Sequence, residues 1–270
     1  MSQTIVLIHG AWVTPASWDR FAGRLRAAGH VVHTPSWPLI EGLDAAAINA
    51  SVPQGFGALG VGRIVDHLAT FVASLPEPPI LVGHSVGGLL TQLLLDRGLG
   101  VAAAVLNPVP IGGIVPGPRA LQAIAPIVLR PRGWARPYAF SRRRFAALYA
   151  TGAPEALIDE AMARYVIPAP GKVFHQAALW LGTRIGPRRR TQPLLITGSD
   201  RDLLVTPYLS RAAYRIQRRA PAPTEFAMLP GQSHLLIAEP GWERVVDLVL
   251  GWIDGLRLAT PGAVPAGIAA

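Results

Sequence analysis

Gly83-His84-Ser85-Val86-Gly87 is a G-x-S-x-G pentapeptide set between two different hydrophobic patterns. The apolar run Pro79-Ile80-Leu81-Val82 leads in, and the helical pattern Leu89-Leu90-Thr91-Gln92-Leu93-Leu94-Leu95 leads out. The reading is strand, sharp turn, helix, with a serine at the apex. The flanking glycines remove side chains where the backbone crowds, so the hydroxyl stands clear of the sheet in a strained conformation. The serine also opens a helix, where free N–H groups favour developing negative charge. In a chain with 28 glycines the pentapeptide alone is weak. Its place between strand and helix is what makes Ser85 a candidate nucleophile.

Outward from this turn, strand and helix patterns alternate, the signature of a parallel sheet covered on both faces. Strands are expected at 4–8, 31–34, 101–106, 193–197 and 224–229, besides the one entering the turn. Helices are expected at 17–28 (Ser17 as cap, Gly29 as stop), 61–75, 207–219 and 242–256, besides the one leaving it. Residues 111–187 break the alternation with prolines, arginine clusters and helical stretches at 142–150 and 154–165, and show no clear strand. The expected fold class is therefore α/β: a mostly parallel sheet of about six strands, helices on both faces, and a helical lid insertion. Residues 1–110 and 188–258 form the core in this reading, 111–187 the lid, and 259–270, rich in Ala, Gly and Pro, a fraying tail.

A serine hydroxyl needs a base, and the base needs an anionic orienter. In a parallel sheet such groups belong just after strands, at one edge. The strand at 193–197 runs into Gly198-Ser199-Asp200-Arg201-Asp202, and that at 224–229 into Pro230-Gly231-Gln232-Ser233-His234. Of seven histidines only His234 follows a late strand in a Gly-bearing loop, so it is the candidate base. His84 neighbours the serine but should point away from its side chain. Asp202, deeper in its loop, is favoured as orienter, with Asp200 left open. The order Ser85, Asp202, His234 suits this sheet. Oxyanion donors are expected from the backbone N–H groups of Val86, next to the nucleophile, and Ala11, in the loop His9-Gly10-Ala11-Trp12 after the first strand.

Composition sets the outer limits. A chain of 270 residues, 50% hydrophobic and 15% charged, buries a sizeable core and is not disordered. No apolar run is long enough for a bilayer, because Asn107, Pro108 and Pro110 interrupt the longest, 99–115. Met1-Ser2-Gln3-Thr4 lacks the basic start of a secretory leader, and there is no cysteine; the expectation is a cytoplasmic protein. The absence of cysteine excludes disulfides, thiolate metal sites and a cysteine nucleophile. No His/Asp/Glu cluster has metal-ligand spacing, and no metal or cofactor is expected. Gly55-Phe56-Gly57-Ala58-Leu59-Gly60 matches G-x-G-x-x-G, but no strand precedes it and no acidic residue follows about 20 residues on, so it reads as a loop. The net charge of +9 comes from 25 basic residues of which only Lys172 is lysine. The arginines are dispersed, with clusters at 142–144, 188–190 and 218–219 and no aromatic-rich basic stripe. They read as solvated surface, with no nucleic-acid partner; a weaker reading has lid arginines holding an acidic acyl carrier.

With these residues in place the chain resembles the α/β-hydrolase superfamily over about residues 4–256. The motifs are HGAW at 9–12, GHSVGG at 83–88, GSDRDLLVTP at 198–207 and GQSHLL at 231–236. The acid loop is one residue longer before Pro207 than the commoner form, which keeps both aspartates in play. By this resemblance the strand at 4–8 corresponds to the superfamily's third, so its first antiparallel pair is expected to be missing. Haloalkane dehalogenases and epoxide hydrolases of the superfamily carry aspartate at the elbow, where this chain has Ser85. Plant-type hydroxynitrile lyases carry lysine after the catalytic histidine, where this chain has Leu235. The resemblance therefore implies a serine hydrolase of small or medium apolar esters, lactones or thioesters. Acyl transfer, perhydrolysis or carbon–carbon cleavage by the same triad, and a small-molecule receptor on this fold, are the alternatives. Trp12, Trp134 and Tyr138 are the expected substrate contacts. Ile111, Ile114, Val115, Phe140, Tyr149, Tyr165 and Trp180 are further aromatic and aliphatic lid residues for an apolar pocket.

Overall fold

Thr4–Ile8 (β1) opens the chain in the computed structural model, which describes residues 2–258. The expected tail at 259–270 lies outside the described residues. After β1 the helix expected at 17–28 is split. Pro15–Trp18 forms a 3₁₀ turn with Pro15 at its start, and the α-helix proper is Asp19–Ala27 (α1). Ser17 is not its cap: the Ser17 hydroxyl donates to the Thr14 carbonyl (2.8 Å) inside the turn. Gly29, at φ 88°, ends the helix as expected. Val31–His33 (β2) follows. A six-residue helix, Ala45–Ala50 (α2), capped by Asp44 accepting from the Ala47 N–H (2.8 Å), stands where the sequence suggested only loop. Val61–Ala73 (α3), Ile80–His84 (β3), Val86–Asp96 (α4) and Ala102–Leu106 (β4) come next. Every residue of β3 and β4 is buried, as strands covered on both faces require.

Residues 107–193 then leave the sheet. They form Pro118–Val128 (α5), Pro137–Tyr138 (β5), Arg142–Leu148 (α6), Glu155–Arg164 (α7), Ala169–Pro170 (β6) and Gly171–Ala178 (α8). The expectation of no strand here is corrected by one antiparallel pair, β5 with β6, only two residues long and bearing a proline on each strand. Leu194–Ser199 (β7), Pro207–Gln217 (α9), Thr224–Leu229 (β8) and Trp242–Leu258 (α10) complete the order.

The six-stranded sheet runs β2-β1-β3-β4-β7-β8, with every neighbouring pair parallel. From β1 the chain steps to β2 on one side and later returns to β3 on the other. The C-terminal ends of β1 and β3 therefore flank a topological switch point, where the loops on either side diverge and leave a crevice. The loop at 9–12 and the G-x-S-x-G turn face each other there. The insertion is tied to the first of these: Thr14 N–H donates to the Tyr165 carbonyl and Ile167 N–H to the Trp12 carbonyl, both at 2.9 Å. One arginine of the 188–190 cluster departs from the surface reading, while Arg188 and Arg189 are exposed. Arg190 is buried, and its guanidinium donates to the Gln217 side chain and carbonyl (both 3.1 Å), the Gln192 carbonyl and the Thr224 hydroxyl. Burial pushes its pKa down to about 10.

Candidate active site

Ser85 has φ 57° and ψ −122°, a conformation that L-residues other than glycine rarely hold. Its surroundings enforce it. The Ser85 N–H donates to the Leu106 carbonyl (3.0 Å), while its own carbonyl accepts from Gly88 (3.0 Å), Leu89 (3.3 Å) and Val109 (2.9 Å). Gly87 lets α4 press onto β1: a Cβ there would lie 2.1 Å from the Ile8 carbonyl oxygen. The loop after β1 presses equally close, since a Cβ on Gly10 would lie 2.9 Å from that of Ser85. Ala11 follows Gly10 in that loop, and Val86, the first residue of α4, follows Ser85 directly.

The structure brings Ser85, His234 and Asp202 together. His234 Nε2 lies 2.8 Å from Ser85 Oγ, and its Nδ1 lies 2.6 Å from Asp202 Oδ2. A carboxylate beside Nδ1 fixes the proton on that nitrogen and leaves Nε2 to accept from the serine hydroxyl. Asp202 is buried and surrounded by donors. Its Oδ1 accepts from the amides of Leu204 (2.9 Å) and Val205 (2.8 Å), and its Oδ2 also accepts from Asn107 Nδ2 (2.7 Å). Asp200 instead faces outward and accepts from the Gly231 N–H at 2.7 Å. The two aspartates thus divide, one inward to the imidazole and one closing a turn.

Several buried neighbours hold these groups, and of them Asn107 and Glu239 escaped sequence reasoning, while His84 faces away from the serine as expected. Asn107, at φ 44°, orients its amide by accepting from Ser199 Oγ (3.2 Å) and Thr197 Oγ1 (3.3 Å) on β7. An asparagine at a strand's C-terminal end, where Pro108 stops the chain, was the available signal. His84 turns away from Ser85 and donates from Nε2 to the His234 carbonyl at 2.8 Å. Burial, reinforced by repulsion from His234, holds its pKa well below the ordinary histidine value and keeps it a neutral donor. Tyr149 of the 107–193 segment sets its ring perpendicular to the His234 imidazole, centroids 4.7 Å apart. Glu239 accepts from both the N–H and the hydroxyl of Ser233, fixing the residue before His234; burial pushes its carboxyl upward.

Ser85 and His234 open into an apolar cleft walled by Trp12, Ile114, Ile124, Phe174, Leu204 and Leu209 among others. Trp12, at φ 66°, is stacked between Phe140 (4.2 Å) and Phe174 (4.5 Å). Two expected contacts are corrected. Trp134 lies in a 3₁₀ turn with 55% of its surface exposed, and packs edge-on to His175 instead of the cleft. Tyr138 is outside the cleft lining too; as part of β5 it offers its carbonyl to the Trp12 indole N–H (3.1 Å). Of the further lid residues expected at a pocket only Ile114 lines this one. Among the described residues no group of three His, Cys, Asp or Glu side chains could hold a metal ion. No helix among them is long and apolar enough to cross a membrane.

A family model described as the alpha/beta hydrolase family matches residues 5–248. The chain belongs to the alpha/beta hydrolase family. Within it, the chain is 25% identical over 248 residues to a carbendazim hydrolyzing esterase of Nocardioides sp. (strain SG-4G), covering 89% of this chain and 88% of that one. It is 32% identical to Methylesterase 10 of Arabidopsis thaliana over 91 residues, which span 33% of this chain and only 29% of that relative. The crystal structure of a methylesterase from Arabidopsis superposes with a TM-score of 0.67 at 16% identity, covering 93% of this chain and 99% of that one. At that identity the likeness speaks for the hydrolase fold alone.

Proposed function

We propose that this alpha/beta hydrolase is a serine carboxylic ester hydrolase for small, apolar acyl or aryl esters, working through an acyl-enzyme. The observation that carries the reading is the hydrogen-bonded chain Ser85–His234–Asp202, opening onto a cleft otherwise lined by apolar side chains. The esterase names of its relatives are consistent with it.

In this mechanism Ser85 Oγ attacks the ester carbonyl carbon while His234 Nε2 takes the hydroxyl proton. Asp202 holds the imidazole in the accepting tautomer and stabilises the imidazolium. The carbonyl oxygen becomes an oxyanion facing the N–H groups of Ala11 and Val86, each worth about 2.7–4 kcal/mol in the transition state. As the tetrahedral species collapses, the C–O bond to the alcohol breaks and the alcohol leaves with the proton from His234. Water then adds to the acyl carbon, giving a proton to His234; the acid departs as Ser85 recovers that proton. Asn107, holding Asp202, and His84, holding the His234 backbone, act as positioning residues.

The cleft supports a size limit. Its free volume of about 70 Å³ is far below the ~300–1,000 Å³ of most ligand pockets. Residues 111–187 serve as a lid in this reading, with α5 and α8 parting to admit substrate. The test is turnover of p-nitrophenyl esters of graded acyl length by wild type and Ser85→Ala. The expected result is hydrolysis highest for short acyl chains and absent in the variant. Buffer-level rates across the whole series would refute the reading.

A further inference from the structure

Among the described residues, six arginines meet a carboxylate: Arg20, Arg24, Arg97, Arg142, Arg164 and Arg189. Three that share one cleft do not. Arg119 on α5 and Arg143 and Arg144 on α6 line a cavity of about 680 Å³, to which Gln122 and Ser141 add neutral polar groups and no acidic residue contributes. Arg119 and Arg143 are exposed. Arg144 is held in place: its guanidinium donates to the Ala123 carbonyl (2.7 Å) and lies 6.0 Å from the Phe140 ring centroid, while its buried Nε has no partner. Three like charges in a cleft whose lining holds no acidic residue repel one another, and an anion relieves that repulsion. Guanidinium forks suit a tetrahedral oxyanion in particular, because each presents paired N–H donors to paired oxygens.

This cleft shares its wall with the catalytic one. Along α5, Ala120 and Ile124 line the cleft of Ser85, while Arg119, Gln122 and Ala123 line the basic cleft. The acid loop divides in the same way, Leu204 facing the catalytic cleft and Leu203 the basic one. One helix, with a diameter of about 10 Å, separates the two.

We propose that the basic cleft binds a phosphate group carried by the substrate, at the end remote from the scissile carbonyl. The substrate class is then an ester or thioester with an apolar portion beside the carbonyl and a phosphate about one helix width away. The proposal rests on the ester-hydrolase reading for its catalytic half and on the arginine cleft for its binding half. No chemistry occurs at the phosphate; it supplies orientation and affinity, screened by salt because two of the three arginines are exposed.

The test uses two readouts on the intact protein and on the double variant Arg119→Ala/Arg143→Ala. The first is calorimetric titration with inorganic pyrophosphate. The second is kcat/KM for two esters with the same acyl group, one with a neutral alcohol half and one whose alcohol half ends in a phosphomonoester. The proposal expects pyrophosphate binding that weakens at least tenfold in the variant. It expects a tenfold or greater loss of kcat/KM on the phosphorylated ester, with the neutral ester changed less than twofold. Absence of pyrophosphate binding, with the neutral ester still hydrolysed, overturns the cleft and leaves the hydrolase reading standing. Binding that the variant loses, with both esters hydrolysed equally by the two proteins, shows a free anion in place of a substrate phosphate and overturns the proposal. Variant-sensitive binding with neither ester hydrolysed supports the cleft and refutes the hydrolase reading instead. Equal loss on both esters points to a damaged fold, and Arg119→Lys/Arg143→Lys then decides: failure to restore discrimination overturns the proposal.

Discussion

At Asp202 three donors besides the imidazole meet the carboxylate, and two of these are amides of its own loop. The third, Asn107, comes from another strand end, so its loss tests positioning without altering the loop. Asn107→Ala removes one hydrogen bond to a charged group, worth about 1.5–3 kcal/mol, and kcat/KM should fall roughly 10- to 150-fold. The measurement is steady-state kinetics, with KM nearly unchanged. Tyr149 tests packing against the imidazole. Its hydroxyl is buried without a partner, and burial pushes its pKa well up. Tyr149→Phe keeps the ring on His234 and removes the orphan group, so activity should stay within about threefold and stability rise by about 1 kcal/mol, read by urea unfolding. Neither role was legible in the sequence. Ser85, His234 and Asp202 stand at strand ends in motif-bearing loops, whereas Asn107 gains its role only because β4 lies beside β7. Trp134 and Tyr138 show the converse: an aromatic residue in the inserted segment does not reveal from sequence which way it faces.

Among the elements, the core was legible because β1, β3, β4 and β7 are short apolar runs cut off by glycine, proline or asparagine. The inserted segment was legible only at α6 and α7, which fall within the helical stretches expected at 142–150 and 154–165. α5 carries Pro126 inside it, α8 follows two prolines within five residues, and the β5–β6 pair is too short to leave a period-two pattern. Two predictions belong here. Gly87→Ala places a methyl 2.1 Å from the Ile8 carbonyl, where overpacking costs about 3 kcal/mol or more; the expected outcome is a large fall in melting temperature or loss of folded protein. Ile124, on the catalytic side of α5, narrows the cleft. Ile124→Ala should shift the preference among p-nitrophenyl esters toward longer acyl chains, raising the long-to-short ratio of kcat/KM severalfold.

For the molecule as a whole, two buried neutral histidines set the acid limit of stability. Burial pushes His9 down to about 4 and holds His84 well below its ordinary value of 6.5. Between those values and 6.5 the unfolded chain binds more protons than the folded one, so stability rises with pH there. Their contribution is complete above pH 6.5 and is lost as pH falls toward 4, about 3 kcal/mol for His9 alone. Glu239, pushed upward by burial, opposes this slope. Urea unfolding from pH 7 to 4.5 should show falling stability, and His9→Gln should flatten the fall.

The central claim is that one serine hydroxyl, activated by His234, attacks an acyl carbon. Treating folded protein with an alkyl fluorophosphonate and mapping the adduct by peptide mass spectrometry tests it most directly. The account predicts stoichiometric label on Ser85, and none in His234→Ala on the same timescale. Unlabelled Ser85 in folded wild-type protein, or label on another residue with Ser85 free, would contradict it.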